Sequence, residues 1–346
     1  MPTDLSHNFR VDSAELPGDA VIFGSTVTMR ELRDKIEATL SSNLPIFIQG
    51  ESGTGKEVIA RYLHTRSRRR EAPFVQLNCA AIPANLLERE LFGFEKGSFA
   101  GASEDRPGLV EIANEGTLFF NEISEISLEL QERLFHLLRD GTYASVGGRE
   151  RRKGRARIVC ATNVDLQQAI ASGALREDFI CRIGAVSLRL PRLRDRKQDI
   201  PQLCEYFLQK LSRQFRRSMP LLSLDTLDLL TQWDWPGNMR ELENWIARAV
   251  ILGGDDALVV ELKRQLDPSR SFASRQHQRG SLKETDPATS LVTGALILKA
   301  LQANKWNRRK TADELKMSYR ALLFKLRSAG MPQKRRSHRG PPNTHL

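Results

Sequence analysis

The stretch Gly50-Glu51-Ser52-Gly53-Thr54-Gly55-Lys56-Glu57 constrains the fold of this chain more than any other. It follows the apolar run Leu44-Pro45-Ile46-Phe47-Ile48 and precedes Val58-Ile59-Ala60-Arg61-Tyr62-Leu63, which reads as strand, glycine-rich turn and helix start. Glycines here let successive backbone N–H groups converge on an anion. The helix dipole adds partial positive charge, and Lys56 brings a full charge to the β- and γ-phosphates of a nucleotide. A phosphate-binding loop of this kind sits at the carboxyl edge of a parallel sheet, so an α/β unit is the expected core. Glu57 departs from the general pattern, in which a Ser or Thr hydroxyl reaches Mg²⁺ from that position.

With 346 residues the chain has room for two or three domains. No apolar run is long enough to span a membrane, and Met1–His7 lacks a basic segment followed by an apolar one, so neither insertion nor export is expected. Cys79, Cys160, Cys181 and Cys204 have no C-x-x-C spacing, which argues against zinc and disulfides and for a reduced, cytoplasmic protein. The net charge of +11 is localised: residues 299–339 hold thirteen Lys/Arg and two acids, Asp313 and Glu314, leaving forty of each sign elsewhere. A basic terminal module on a neutral body is the footprint of a phosphate-backbone binder.

Residues 1–20 are polar and aperiodic and read as a flexible lead. Apolar spacing predicts a helix over 29–40, and Thr65–Glu71 reads as a basic turn of solvated charge. Buried strands are expected at 74–79, 118–120 and 157–161, and helices at 85–91 and near 202–215, 223–232 and 238–250. Asp267–Ser290, rich in Ser, Arg, Gln and Thr, reads as a linker. Beyond it, Leu296, Ile297, Ala300 and Leu301 mark one helix, Arg308–Leu315 a second, and Tyr319–Ser328 a third capped by Ser318. The last two form a helix-turn-helix. Its recognition helix offers Ser318, Tyr319, Arg320 and Lys325 to DNA, and Arg308, Arg309 and Lys310 on the preceding helix supplement them. Lys334–Arg339 adds sequence-independent attraction.

Several separated blocks carry a resemblance: Asn78-Cys79-Ala80-Ala81-Ile82-Pro83, Glu90-Leu91-Phe92-Gly93, Gly116-Thr117-Leu118-Phe119, Ala161-Thr162-Asn163, and the run from Trp235-Pro236-Gly237 to Asn244. With the phosphate loop, whose Glu57 is then an expected variant, they make the chain similar to the bacterial enhancer-binding proteins, the AAA+ activators of sigma-54 RNA polymerase. The likeness covers about 21–252 and 291–331. It implies an α/β AAA+ P-loop ATPase subdomain at 21–195, an α-helical lid at 196–265, a linker at 266–290, an all-α Fis-type helix-turn-helix at 291–331 and a basic tail at 332–346. No receiver or sensor domain is expected ahead of the ATPase.

The resemblance implies ATP and Mg²⁺ as ligands, held by Gly50–Glu57, by Arg240 as a second sensor, and by Asn121 and Glu122. Glu122 would orient or activate the attacking water, Asn78 would relay nucleotide state, and Thr162 and Asn163 would sense the γ-phosphate. Arg176 and Arg182 resemble arginine fingers given to the neighbouring subunit of a hexamer. The loop Gly97-Ser98-Phe99-Ala100-Gly101-Ala102 aligns with the GAFTGA element that touches sigma-54, with Ala100 in place of Thr. Asn121 stands where such ATPases carry Asp; its amide brings no negative charge, so weaker Mg²⁺ retention and slower hydrolysis are expected. Implied partners are upstream DNA, the sigma-54 holoenzyme, further copies of the chain and a regulatory protein acting in trans. The alternative is a DNA-binding regulator in which Asn121 and Ala100 have eroded hydrolysis and coupling, ATP remaining as a structural ligand. A general AAA+ unfoldase fits the helix-turn-helix and the Phe99 loop less well.

Overall fold

The computed structural model describes residues 16–266. Most of the lead, the linker, the helix-turn-helix with Arg308, Arg309, Lys310, Ser318, Tyr319, Arg320 and Lys325, and the basic tail lie outside the described residues. The chain divides into two units, 1–267 and 268–346.

Strands β1 (Ile46–Gln49), β2 (Phe74–Asn78), β3 (Thr117–Asn121), β4 (Arg157–Thr162) and β5 (Val186–Arg189) form one parallel sheet in the order β2-β3-β4-β1-β5. A parallel sheet covered on both faces needs apolar side chains at nearly every position. Ile46, Phe47, Ile48, Leu118, Phe119 and Phe120 are accordingly buried, as is all of β4. The register sets Asn78 opposite Asn121 and Gln49 opposite Thr162, so the polar last residues of four strands share the carboxyl edge.

Helices α1 (Asp19–Phe23), α2 (Val27–Thr39) and α3 (Lys56–Arg66) cover one face, where Phe23, Met29, Ile36, Ile59 and Leu63 meet Ile46, Ile48 and Phe119. Side-chain alternation sends Phe47 and Phe120 to the other face. There they join Leu87 and Leu91 of α4 (Ala84–Phe92), Val110 of α5 (Leu109–Ala113), Leu134 of α6 (Leu128–Asp140) and Phe179 of α8 (Glu177–Ile183), with α7 (Leu166–Ala171) beside them. Helix α6 shows how local sequence sets such an element. Leu130, Leu134 and Leu137 fall on one face, Ser127 caps the start by accepting from Leu130 N at 3.3 Å, and Gly141 ends it at φ 68°.

A third core, around Leu203, Phe207, Trp235, Leu242, Trp245 and Ile246, belongs to a helical subdomain of α9 (Ile200–Phe215), α10 (Leu224–Gln232), α11 (Asn238–Leu252) and α12 (Asp256–Leu266). The sequence reading had three helices here and missed α12. The sequence places Asp19 and Ala20 in the lead, whereas the structure places them in a helix. Asp19 opens α1, accepts from Arg66 at 2.8 Å and from the Tyr62 hydroxyl at 3.3 Å, and is followed by buried Ile22 and Phe23. Five residues are too few to display a helical period, so the sequence hides this element.

Candidate nucleotide-binding and output site

The loop leaves β1 at the carboxyl edge, where Gly50 N–H donates to Thr162 O at 3.2 Å. Gly53 and Gly55 take φ 79° and 96°, a region that disfavours side chains, and a Cβ on Gly53 would lie 2.3 Å from Gly237 O. Lys56, at the start of α3, is only 6% exposed and donates from Nζ to Gly50 O at 2.8 Å and Glu51 O at 3.3 Å. Glu122 Oε1 lies 3.6 Å from the same Nζ. Burial lowers the Lys56 pKa, Glu122 opposes this and Arg240 adds to it, leaving the net direction downward. Thr54 closes the turn on Glu51 O at 2.8 Å, while Glu57 turns to Arg61 at 2.9 Å.

Beside the loop, Asn121 ends β3 and Glu122 follows at φ 53°, ψ 56°, a left-handed conformation costly for a residue with a side chain. That turn aims its carboxylate along the sheet edge: Oε1 faces Lys56 and Oε2 accepts from Asn163 N at 3.1 Å. Thr162 is fully buried, donates to Ser124 Oγ at 3.0 Å and accepts from Val164 N at 3.2 Å. Asn78 Oδ1 accepts from Ala80 N at 3.3 Å, capping its own turn rather than meeting Glu122. Among the described residues no three His, Cys, Asp or Glu side chains gather as a metal cage. A cation here would draw on Asn121, Glu122 and oxygens it brings with it, which suits Mg²⁺ carried on phosphates and water.

The lid closes on the loop from the opposite side. Arg240 donates to Ser52 Oγ at 2.9 Å, and Met239 N to Gly53 O at 3.0 Å. Asn238, fully buried at φ 54°, donates to Glu51 Oε2 at 3.1 Å and Ser52 O at 3.0 Å and accepts from Leu193 N at 2.8 Å. Glu51 also meets Arg194 at 3.0 Å and Arg192 at 3.5 Å. Burial raises its pKa, but Asn238, Arg194 and Arg192 outweigh that and hold the carboxyl below its usual range. Thus the Glu51 side chain belongs to the hinge with the lid, while its backbone serves the loop. A cavity of about 430 Å³ remains between loop and lid, lined by Ile22, Val58, Leu190, Tyr206 and Arg240 among others.

Sequence reasoning missed Asn238, Arg192, Arg194 and a fully buried pair, Arg196 and Asp199, at 2.8 Å. Asp199 accepts in addition from Ser25 N at 2.7 Å and Ser25 Oγ at 3.0 Å, and Arg196 donates to Ile22 O at 3.3 Å, tying the root of the lid to the α1–α2 turn. The available signal was Asn directly after Pro236-Gly237, since Asn tolerates a left-handed backbone.

Arg176 and Arg182 do not line this cavity. Arg176 pairs with Asp178 at 2.8 Å and Glu132 at 3.5 Å, and Arg182 donates to Leu138 O at 2.8 Å. The Phe99 loop forms a separate site. Gly97 and Gly101 have φ 80° and 107° with open space where a Cβ would go, so backbone conformation is what selects glycine. Phe99 packs edge-on against Phe94, ring centroids 5.0 Å apart, under the Arg89 guanidinium at 3.6 Å. Ala100 is exposed, and Ser98 Oγ is buried without a partner beside Gly147.

A parallel sheet with this loop, a polar strand edge and a helical lid defines a P-loop ATPase of the AAA+ class. Family models agree: the Sigma-54 interaction domain matches residues 22–189, the AAA+ ATPase lid domain 194–279, and the bacterial regulatory protein, Fis family, 294–328. The chain is 38% identical over 336 residues to the regulatory protein AtoC of Escherichia coli (strain K12), spanning 96% of this chain and 72% of AtoC. It is 45% identical over 243 residues to the Nif-specific regulatory protein of Rhizobium leguminosarum bv. trifolii, spanning 70% and 68%. Crystalline NtrX from Brucella abortus superposes with TM-score 0.64 at 31% identity, over 90% of this chain and 70% of NtrX, and NtrX structures with ADP and with ATP are similar. The chain belongs to the bacterial enhancer-binding proteins, the sigma-54-dependent transcriptional activators.

Proposed function

We propose that this chain binds ATP with Mg²⁺ between loop and lid and hydrolyses it in a ring, driving the Phe99 loop against the sigma-54 holoenzyme in the cytoplasm. The observation that carries the reading is the state of Lys56, drawn between Gly50 O and the Glu122 carboxylate. A buried ammonium held by two carbonyls and one facing carboxylate is poised to exchange them for phosphate oxygens, and its departure frees Glu122 to orient water. Arg240 reaches the same loop from the lid, so phosphate occupancy and lid angle are linked through Ser52. Apolar Ile22, Leu190 and Tyr206 supply a wall for the base.

Asn121 and Glu122 would hold Mg²⁺, which supplies positive charge against the phosphates when bound. Because Asn121 contributes no charge, most of the retention falls to Glu122 and the nucleotide. Arg176 and Arg182, remote from their own cavity, are assigned to the neighbouring subunit's site, and Thr162 and Asn163 to sensing at the sheet edge. The helix-turn-helix holds upstream DNA through Arg308–Lys310, Ser318–Arg320 and Lys325, and a regulatory protein acts in trans. A second reading, ATP as a structural ligand without coupling, is favoured by Asn121 together with exposed Ala100.

Steady-state ATPase against protein concentration separates the two. The motor gives cooperative turnover that both Lys56→Ala and Arg182→Ala abolish, and Asn121→Asp raises it about ten-fold, the equivalent of about 1.4 kcal/mol in the barrier. Turnover no higher than that of Lys56→Ala would sink the motor and leave the structural-ligand reading. Deleting residues 293–346 abolishes specific DNA binding and spares nucleotide binding.

A further inference from the structure

Two basic runs that the nucleotide site does not use meet at the far side of the sheet. Residues 66–71 and 149–155 contain nine Lys/Arg and two acids, Glu71 and Glu150. The first run leads into β2 and the second into β4, flanking strands of a parallel sheet, so both occupy the amino edge, opposite the phosphate loop. Arg69 joins them by donating to Gly116 O at 3.3 Å and Arg155 O at 3.0 Å.

The second run forms one arm of a hairpin, Thr142-Tyr143 pairing antiparallel with Arg152-Lys153. The hairpin is fixed: Arg133 donates to Ala144 O at 2.6 Å, Gly154 N to Gly141 O at 2.9 Å, and Val146 N to Gly93 O at 2.9 Å. Its tip therefore stands beside the Phe99 loop, where Gly147 faces Ser98. Arg68, Arg70, Arg149, Arg151, Lys153 and Arg155 are exposed along this path. Nearby acids take only some of the charge: Glu71 pairs with Arg70, Glu115 with Arg155 and Glu111 with Arg152, and Asp140 faces Arg151. Arg68, Arg149, Arg151 and Lys153 have no ion-pair partner among the described residues.

We infer that this stripe is a second nucleic-acid contact, gripping duplex phosphates without reading bases, in addition to the helix-turn-helix. Guanidinium forks suit phosphate oxygens, and a rigid hairpin presents them with little ordering cost. Because the same polypeptide carries a Fis-family segment at 294–328, duplex is supplied at high local concentration, so even a weak second contact is populated. An acidic protein surface is the rival occupant, disfavoured because the exposed basic side chains of the stripe are almost wholly arginine, whose forks suit phosphate.

The test uses the full-length chain and a random-sequence duplex of about 30 bp, with affinity measured by fluorescence anisotropy across a salt series. Arg149→Ala/Arg151→Ala/Lys153→Ala is expected to lower affinity about ten-fold at low salt and to reduce the log–log salt slope by about 2–3, while DNA-free ATP turnover is unchanged. Arg68→Ala/Arg70→Ala, on a separate turn, should reduce the slope by about 1–2. Unchanged affinity and slope in both variants would overturn the inference and leave the stripe to an acidic protein partner.

Discussion

The cleft between loop and lid and the loop that carries Phe99 are built on opposite principles. The cleft is clasped by buried polar groups: Asn238 spans Glu51, Ser52 and Leu193, and Arg196 and Asp199 are each 1% exposed. The Phe99 loop rests on two aromatic contacts, flanked by two positive-φ glycines and an exposed Ala100. In the first region, removing one partner strands another in low dielectric. In the second, removing one partner returns a group to water. The proposed nucleotide site is over-determined, and the proposed output loop is held by side-chain contacts of about 1 kcal/mol each.

Three substitutions probe that contrast, in descending order of expected effect. Asp199→Ala leaves the Arg196 guanidinium buried and uncompensated, so chemical denaturation should show a loss of about 3–5 kcal/mol. A loss below about 1 kcal/mol would mean the buried pair is relieved by water and the clasp is looser than described. Asn238→Ala removes the bonds to Glu51, Ser52 and Leu193 and forces alanine to φ 54°, for a loss of about 2–4 kcal/mol together with weaker ATP binding by titration calorimetry. Stability lost with ATP affinity intact would separate the hinge from the nucleotide site.

Arg89→Ala should cost less than about 1 kcal/mol in stability. It should nonetheless increase proteolysis or hydrogen exchange at residues 97–102, because the guanidinium over Phe99 is one of two side-chain contacts on the ring of that loop. An unchanged exchange rate would show that Phe94 and the turn hydrogen bonds suffice.

Legibility in the sequence divides along the same line. Strands β1 to β4 announced themselves because burial on both faces demands continuous apolar runs, whereas the edge strand β5 buries only Leu188 and carries no such run. Lys56, Glu122 and the glycines of the Phe99 loop were identifiable because short motifs fix their own backbone. Helix α1 was hidden by its brevity, and the side-chain direction of Glu51 was hidden by its partners.

What the sequence by itself determined is therefore the chemistry: a phosphate loop at a strand end, Asn121-Glu122 at the edge beside it, and a basic terminal module. Only the tertiary structure decided what holds that chemistry. Asn238 meets Glu51 across 187 residues of chain, and Asp199 meets Ser25 across 174. Contacts over such separations leave no local pattern, because each partner satisfies a buried group supplied by a different element. The same holds for the basic turn Thr65–Glu71, which reads as ordinary solvated charge in the sequence and which the parallel sheet brings to one edge with residues 149–155.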